Sequence, residues 1–94
     1  MLFGSKWTIQ FLDKIPTDDP SSFQFGLTDG VQRIIKVATK DREGNDFPEN
    51  EIRLTVLHEV VHAIFDTGQY DNSDEPMVEW IARCMYAILE QKIL

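Results

Sequence analysis

The sequence predicts a small α+β domain in which a small β-sheet or hairpin precedes two packed helices. Residues 6–39 contain short runs of β-branched and aromatic residues that are separated by turn-forming residues. Residues 49–66 and 74–93 carry apolar side chains at helical spacing. A chain of 94 residues can bury only one small core, so we expect a single domain over residues 1–94.

The first half of the chain predicts extended segments. Lys6–Leu12 alternates well enough for a strand or a short amphipathic element, and Phe23–Leu27 has an extended pattern. The intervening residues 16–22 contain two prolines and two adjacent aspartates, which indicates a loop. A turn is expected at residues 28–30, since Gly30 tolerates a positive φ. Val31–Thr39 is rich in β-branched residues and predicts the return strand.

The second half predicts two helices. In Glu49–Asp66 the apolar residues cover about 220° of the helical wheel, which indicates a helix packed on more than one side. Gly68 suits the C-cap of this helix. Ser73 offers an N-cap for a last helix over residues 74–93, in which Pro76 is tolerated in the first turn.

Charge and composition exclude several classes of function. The chain has 9 basic and 16 acidic side chains, a formal net charge of −7. Because such a chain repels phosphate backbones, we expect no nucleic-acid partner. No apolar run approaches the roughly 18 residues of a membrane span, and the start lacks the pattern of a signal peptide. We therefore expect no membrane partner. The single Cys84 cannot form an internal disulfide, which fits a reducing compartment, so we expect a cytoplasmic protein.

Both histidines of the chain lie in one motif, His58-Glu59-Val60-Val61-His62, which has the pattern HExxH. Random placement of two histidines and seven glutamates would produce this pattern in roughly 0.2% of chains of this length. Residues four apart project from one helix face, so the two imidazoles can share one Zn²⁺. Glu59 lies at the edge of that face, where it can take a proton from water and return it to a leaving amine.

A zinc site of this kind needs a third protein ligand, and no histidine remains. Glu75 and Glu79 lie four residues apart on one face of the last helix. The position of Glu75 at the border of the apolar arc slightly favours it as the ligand, with Glu79 as acceptor for a histidine N–H. The reverse assignment, with Glu79 as ligand, stays open. A solvated pair of Glu79 with Arg83 is a further interpretation.

With these residues in place, the chain resembles the gluzincins, zinc metallopeptidases with HExxH on one helix and a glutamate ligand on the next. More narrowly, it is similar to small metallopeptidases encoded by phages and prophages. The resemblance covers residues 25–91 and is carried by FGLTDGVQRIIKV, TVLHEVVHAIFD and DEPMVEWIARCMYAILEQ. It implies a minimal zincin-like fold, a location in the host cytoplasm, His58 and His62 as zinc ligands, Glu59 as catalytic base and a glutamate of the last helix as third ligand.

Two features depart from the gluzincin pattern. The thirteen-residue step from His62 to Glu75 is short, so the last helix must fold back tightly. There is also no second histidine or obvious arginine to stabilise an oxyanion. Tyr70 and Tyr86 are the candidate hydroxyl donors for that role, although each also suits packing.

The expected partner is a peptide or a specific protein, and the strand over Val31–Thr39 is expected to pair its exposed edge with an extended peptide. Two other functions stay open. The chain can be a zinc-binding adaptor without catalysis, in phage assembly or host interaction. It can also be an acidic protein-interaction module in which the histidines have no role. The sequence predicts no oligomeric state.

Overall fold

A computed structural model describes residue 4 and residues 6–19 and 21–91. In these residues a three-stranded mixed sheet precedes two helices, which confirms the predicted α+β class. The strands are β1 (Thr8–Leu12), β2 (Gly26–Asp29) and β3 (Ile34–Ala38), and the helices are α1 (Glu49–Thr67) and α2 (Glu75–Glu90).

The sheet has the order β1-β3-β2, with β1 parallel and β2 antiparallel to β3. Because β3 has a neighbour on each side, the expectation that Val31–Thr39 offers an exposed edge to a peptide is wrong. The strand that lies at the sheet edge and also contacts α1 is β2. Any pairing with an extended peptide beside α1 therefore has to use β2.

The connection between β2 and β3 differs from the expected turn. Thr28 and Asp29 belong to β2, and the Asp29 carboxylate accepts hydrogen bonds from the backbone N–H groups of Val31 and Gln32, both at 3.0 Å. The positive φ of this turn, +58°, falls at Arg33 rather than at the predicted glycine. Val31 is 94% exposed and precedes β3, so the predicted strand began three residues too early.

The core forms on both sides of α1. On one side Ile35 and Val37 of β3 pack against Ala63, and all three are fully buried. On the other side α2 contributes Val78 and Ala82 to a second buried cluster. Helix α1 is thus covered by the sheet and by α2, as its wide apolar arc predicts.

The helix ends combine expected and unexpected caps. Gly68 is the C-cap of α1, with its N–H donating to the Ile64 carbonyl, but its φ of −81° is right-handed. The N-cap of α2 is Asp74 rather than the predicted Ser73, because the Asp74 carboxylate accepts from the Met77 N–H at 3.0 Å. The Ser73 hydroxyl donates instead to Asp71 at 2.6 Å.

The part of the predicted last helix that covers residues 92–94 lies outside the described residues. Within the described ranges, no helix combines the length and apolarity that a crossing of the bilayer requires.

Candidate metal centre

Two histidines of α1 and one glutamate of α2 bring three donor groups together. Their spacing places both imidazoles on one face of α1, and the short link after α1 places the first turn of α2 opposite that face. His58 Nε2 lies 3.1 Å from Glu75 Oε2, and His62 Nε2 lies 3.0 Å from Glu75 Oε1. One donor atom from each of the three residues can be chosen so that all lie within 4.8 Å of one another.

These separations suit a bound metal ion. Donor atoms around a tetrahedral zinc ion, with metal–ligand bonds of about 2.0–2.1 Å, lie about 3.3–3.4 Å apart. Imidazole nitrogen and carboxylate oxygen are also accepted by several other divalent transition metals. His58, His62 and Glu75 can therefore hold a metal ion, and their donor types do not select zinc alone.

The other nitrogen of each imidazole has its own acceptor. His62 Nδ1 lies 2.7 Å from Asn72 Oδ1, and Asn72 Nδ2 donates to the His62 carbonyl oxygen at 3.1 Å. His58 Nδ1 lies 3.3 Å from Glu79 Oε1. An imidazole that donates its Nδ1–H to these oxygens keeps the Nε2 lone pair free, on the side of Glu75.

The two glutamates of α2 take different positions around His58. Glu75 contacts the Nε2 atoms of both histidines, whereas Glu79 contacts only Nδ1 of His58 and lies 3.5 Å from Arg83. This is the arrangement that the sequence slightly favours, with Glu75 toward the metal position and Glu79 behind His58. Ligation by Glu75 itself stays a prediction.

Glu59 is buried beside this group and lies against β2. Its side chain is 6% exposed, and the Thr28 hydroxyl contacts both Glu59 Oε1, at 2.8 Å, and the Glu59 carbonyl oxygen, at 2.9 Å. A Cβ at Gly26 would lie 2.7 Å from Glu59 Oε2, so any larger residue there would force the carboxylate to shift. Burial raises the pKa of the Glu59 carboxyl above its ordinary value, while the Thr28 hydrogen bond opposes that rise.

A cleft of about 590 Å³ opens over the three donors and Glu59. One wall is formed by residues 25–28, and the other walls are formed by α1 and α2. Phe25 is 57% exposed at this wall, and its ring packs edge-on against Phe23 at a centroid distance of 5.0 Å. The cleft extends along α1 past Thr55 to Glu51, and along α2 to Arg83.

Neither tyrosine lines this cleft, so its geometry gives no support to Tyr70 or Tyr86 as an oxyanion donor, and that role stays a prediction. Tyr70 is 72% exposed, and its ring lies 6.5 Å from the ring of Phe65. Tyr86 follows Glu75 by three turns of α2 and lines a different groove, which also includes Phe11. Burial, assisted by neighbouring Glu90, raises the pKa of Tyr86.

Three residues that shape the site were not expected from the sequence, namely Gly26, Thr28 and Asn72. Gly26 and Thr28 precede Glu59 by more than thirty positions, and no local pattern links a strand to a distant helix. Asn72 offered a weak indication of a contact with the site, because it is a polar residue in the short link that joins α1 and α2.

We compared the chain with protein-family models, with curated proteins and with solved structures, and none of the three comparisons produced a match. The functional interpretation of the centre therefore rests on its geometry and on the motifs of the sequence.

Proposed function

We propose that this protein is a minimal zinc metallopeptidase that hydrolyses a peptide bond, with Glu59 as general base. The observation that carries the proposal is the convergence of two imidazole Nε2 atoms on the carboxylate of Glu75, beside the buried carboxylate of Glu59. The resemblance of the motifs to those of phage- and prophage-encoded metallopeptidases agrees with it.

The chemistry divides between the metal and the chain. Zinc held by His58, His62 and Glu75 would lower the pKa of water and polarise a carbonyl oxygen. Glu59 accepts a proton from the attacking water at Oε2, because Oε1 is engaged by the Thr28 hydroxyl. It then donates that proton to the leaving amine. The Thr28 contact and the close packing on β2 hold the carboxylate in one orientation during both transfers.

The open edge of β2 is suited to hold the substrate. The Phe25 carbonyl accepts from the Ala38 N–H at 2.9 Å. Since backbone groups alternate in direction along a strand, those of Gly26 and Thr28 face away from β3. Among the described strands, only β3 pairs with β2. An extended peptide that adds to this edge would pass over the cleft and present a carbonyl group to the three donors, with Glu59 beside it.

A zinc-binding adaptor without peptidase activity is the second candidate. It is favoured by the positions of Tyr70 and Tyr86. Neither tyrosine lines the described cleft, so neither hydroxyl is placed to donate to an oxyanion there. The adaptor would keep the three donors and use the cleft and the β2 edge for binding alone.

The test is Glu59→Gln, compared with Glu43→Gln, which changes an exposed loop carboxylate in the same way. We expect zinc affinity by calorimetric titration to persist in both variants. Cleavage of a proteome-derived peptide library, followed by mass spectrometry, should fall at least about 100-fold in Glu59→Gln alone. Unchanged turnover in Glu59→Gln would refute the mechanism. Tight zinc binding by a wild-type protein that cleaves no library peptide would favour the adaptor.

A further inference from the structure

Arg83 lines the outer end of the cleft, and the proposed chemistry does not use it. It is the only lysine or arginine among the residues of the cleft wall, all of which are described. Its side chain is 61% exposed, and its contact within the described chain is a single 3.5 Å approach of Nη2 to Glu79 Oε2. A guanidinium has five N–H donors, so most of them stay free for another partner.

The position of Arg83 relates it to the metal centre. Arg83 follows Glu75 by eight residues, about 12 Å along the axis of α2. Long side chains on a helix lean toward its N-terminus, and here the guanidinium reaches back to Glu79. The other oxygen of Glu79 lies 3.3 Å from His58 Nδ1. The guanidinium is therefore on the order of 10 Å from the donor group, about three residues of an extended peptide.

We propose that Arg83 binds a carboxylate of the peptide substrate, within about three residues of the scissile bond. A guanidinium and a carboxylate form two parallel charge-assisted hydrogen bonds, a geometry that the single long contact with Glu79 does not provide. The carboxylate can belong to the C-terminus of the peptide or to an aspartate or glutamate side chain. The inference rests on the proposed function, because it takes the cleft to receive a peptide.

The charges around Arg83 make it a determinant of selectivity. The remaining charged side chains of the cleft are carboxylates, with Glu51 on the α1 wall and Glu79 beside the guanidinium at the outer end. Without Arg83 these two groups repel an acidic peptide, whereas a neutral peptide is little affected. Loss of the guanidinium should therefore change which peptide binds rather than whether any peptide binds.

The test uses three pentapeptides with a blocked N-terminus and a common apolar centre. One ends in a free carboxylate, one carries a glutamate side chain and a C-terminal amide, and one carries an amide and no carboxylate. Dissociation constants are measured by NMR titration of zinc-supplemented Glu59→Gln protein, which cannot hydrolyse the probes, and of metal-free wild-type protein. The same titrations are run with Arg83→Ala, Arg83→Lys, Arg53→Ala and Glu51→Gln, each combined with Glu59→Gln where zinc is present. Arg53 is the matched control, since it is 59% exposed, also pairs with a glutamate four residues away and lies outside the cleft wall.

We expect at least one acidic probe to bind about tenfold more tightly than the neutral probe. The preference should vanish in Arg83→Ala, persist in part in Arg83→Lys, persist fully in Arg53→Ala and increase in Glu51→Gln. The tighter of the two acidic probes identifies the source of the carboxylate. Equal affinity for acidic and neutral probes, or a preference that survives in Arg83→Ala, would overturn the inference.

Failure of the proposed function has a different signature. A protein that binds no zinc, or that cleaves no peptide, yet prefers the acidic probe through Arg83, retains the carboxylate site as a peptide-binding feature. A protein that binds zinc tightly and cleaves peptides without an acidic preference loses only the role of Arg83.

Discussion

Removing the carboxylate of Glu75 should weaken zinc binding far more than removing that of Glu79. Structural zinc sites bind with about 10–16 kcal/mol through four ligands, so one ligand accounts for roughly 3 kcal/mol, or about a hundredfold in affinity. Glu75 contacts the Nε2 atoms of both histidines, so Glu75→Ala should show a loss of this size. Within the centre, Glu79 contacts only His58 Nδ1, over 3.3 Å, and Glu79→Ala should lower zinc affinity about tenfold.

The assay is a zinc titration against a competing fluorescent chelator, with circular dichroism to show that each variant retains its helices. Glu90→Ala serves as control, because Glu90 is an exposed glutamate of the same helix whose carboxylate pairs with Arg53 at 3.6 Å. The zinc affinity of Glu90→Ala should equal that of the wild type. A greater loss in Glu79→Ala than in Glu75→Ala would reverse the assignment of the third ligand. Equal affinity in all three variants would refute the metal centre.

Three further predictions follow from the groups around the donors. Asn72→Ala removes both hydrogen bonds to His62, so zinc affinity in the same titration should fall about 10- to 100-fold, and an unchanged value would contradict this role of Asn72. Gly26→Ala places a Cβ 2.7 Å from Glu59 Oε2 and displaces the carboxylate. Peptide cleavage should then fall about a hundredfold while zinc affinity stays constant, and undiminished cleavage would show that the orientation of Glu59 is unimportant. Finally, burial raises the pKa of Glu59 in the folded chain, so the metal-free protein loses stability as pH rises from the ordinary glutamate range through that raised pKa. Glu59→Gln should therefore melt at a higher temperature than the wild type at pH 7 in chelator, with the difference vanishing below pH of about 4, and a lower melting temperature at pH 7 would argue against the burial cost.

Local patterns in the sequence predicted the two helices and most of the side chains that meet at the candidate metal centre. The apolar arc of residues 49–66 predicted a helix covered on two sides, and the structure places the sheet on one side of α1 and α2 on the other. The HExxH spacing alone brought both imidazoles to one face, since four residues make about one helical turn. The face shared by Glu75 and Glu79 predicted that both would meet the histidines, because a helix presents such pairs together.

Contacts between elements distant in sequence were decided only by the tertiary structure. Strand order placed β3 in the centre and left the β2 edge beside α1, a result that the strand patterns did not specify. Thr28 meets Glu59 from 31 positions away, and Gly26 was not recognisable as the residue that leaves room for that carboxylate. Tyr86 lies on nearly the same face of α2 as Glu75 but three turns further along, and the packing of α2 on α1 places it in another groove. Helical and strand periodicities describe one element at a time, whereas packing of elements against one another decides which side chains share a cleft.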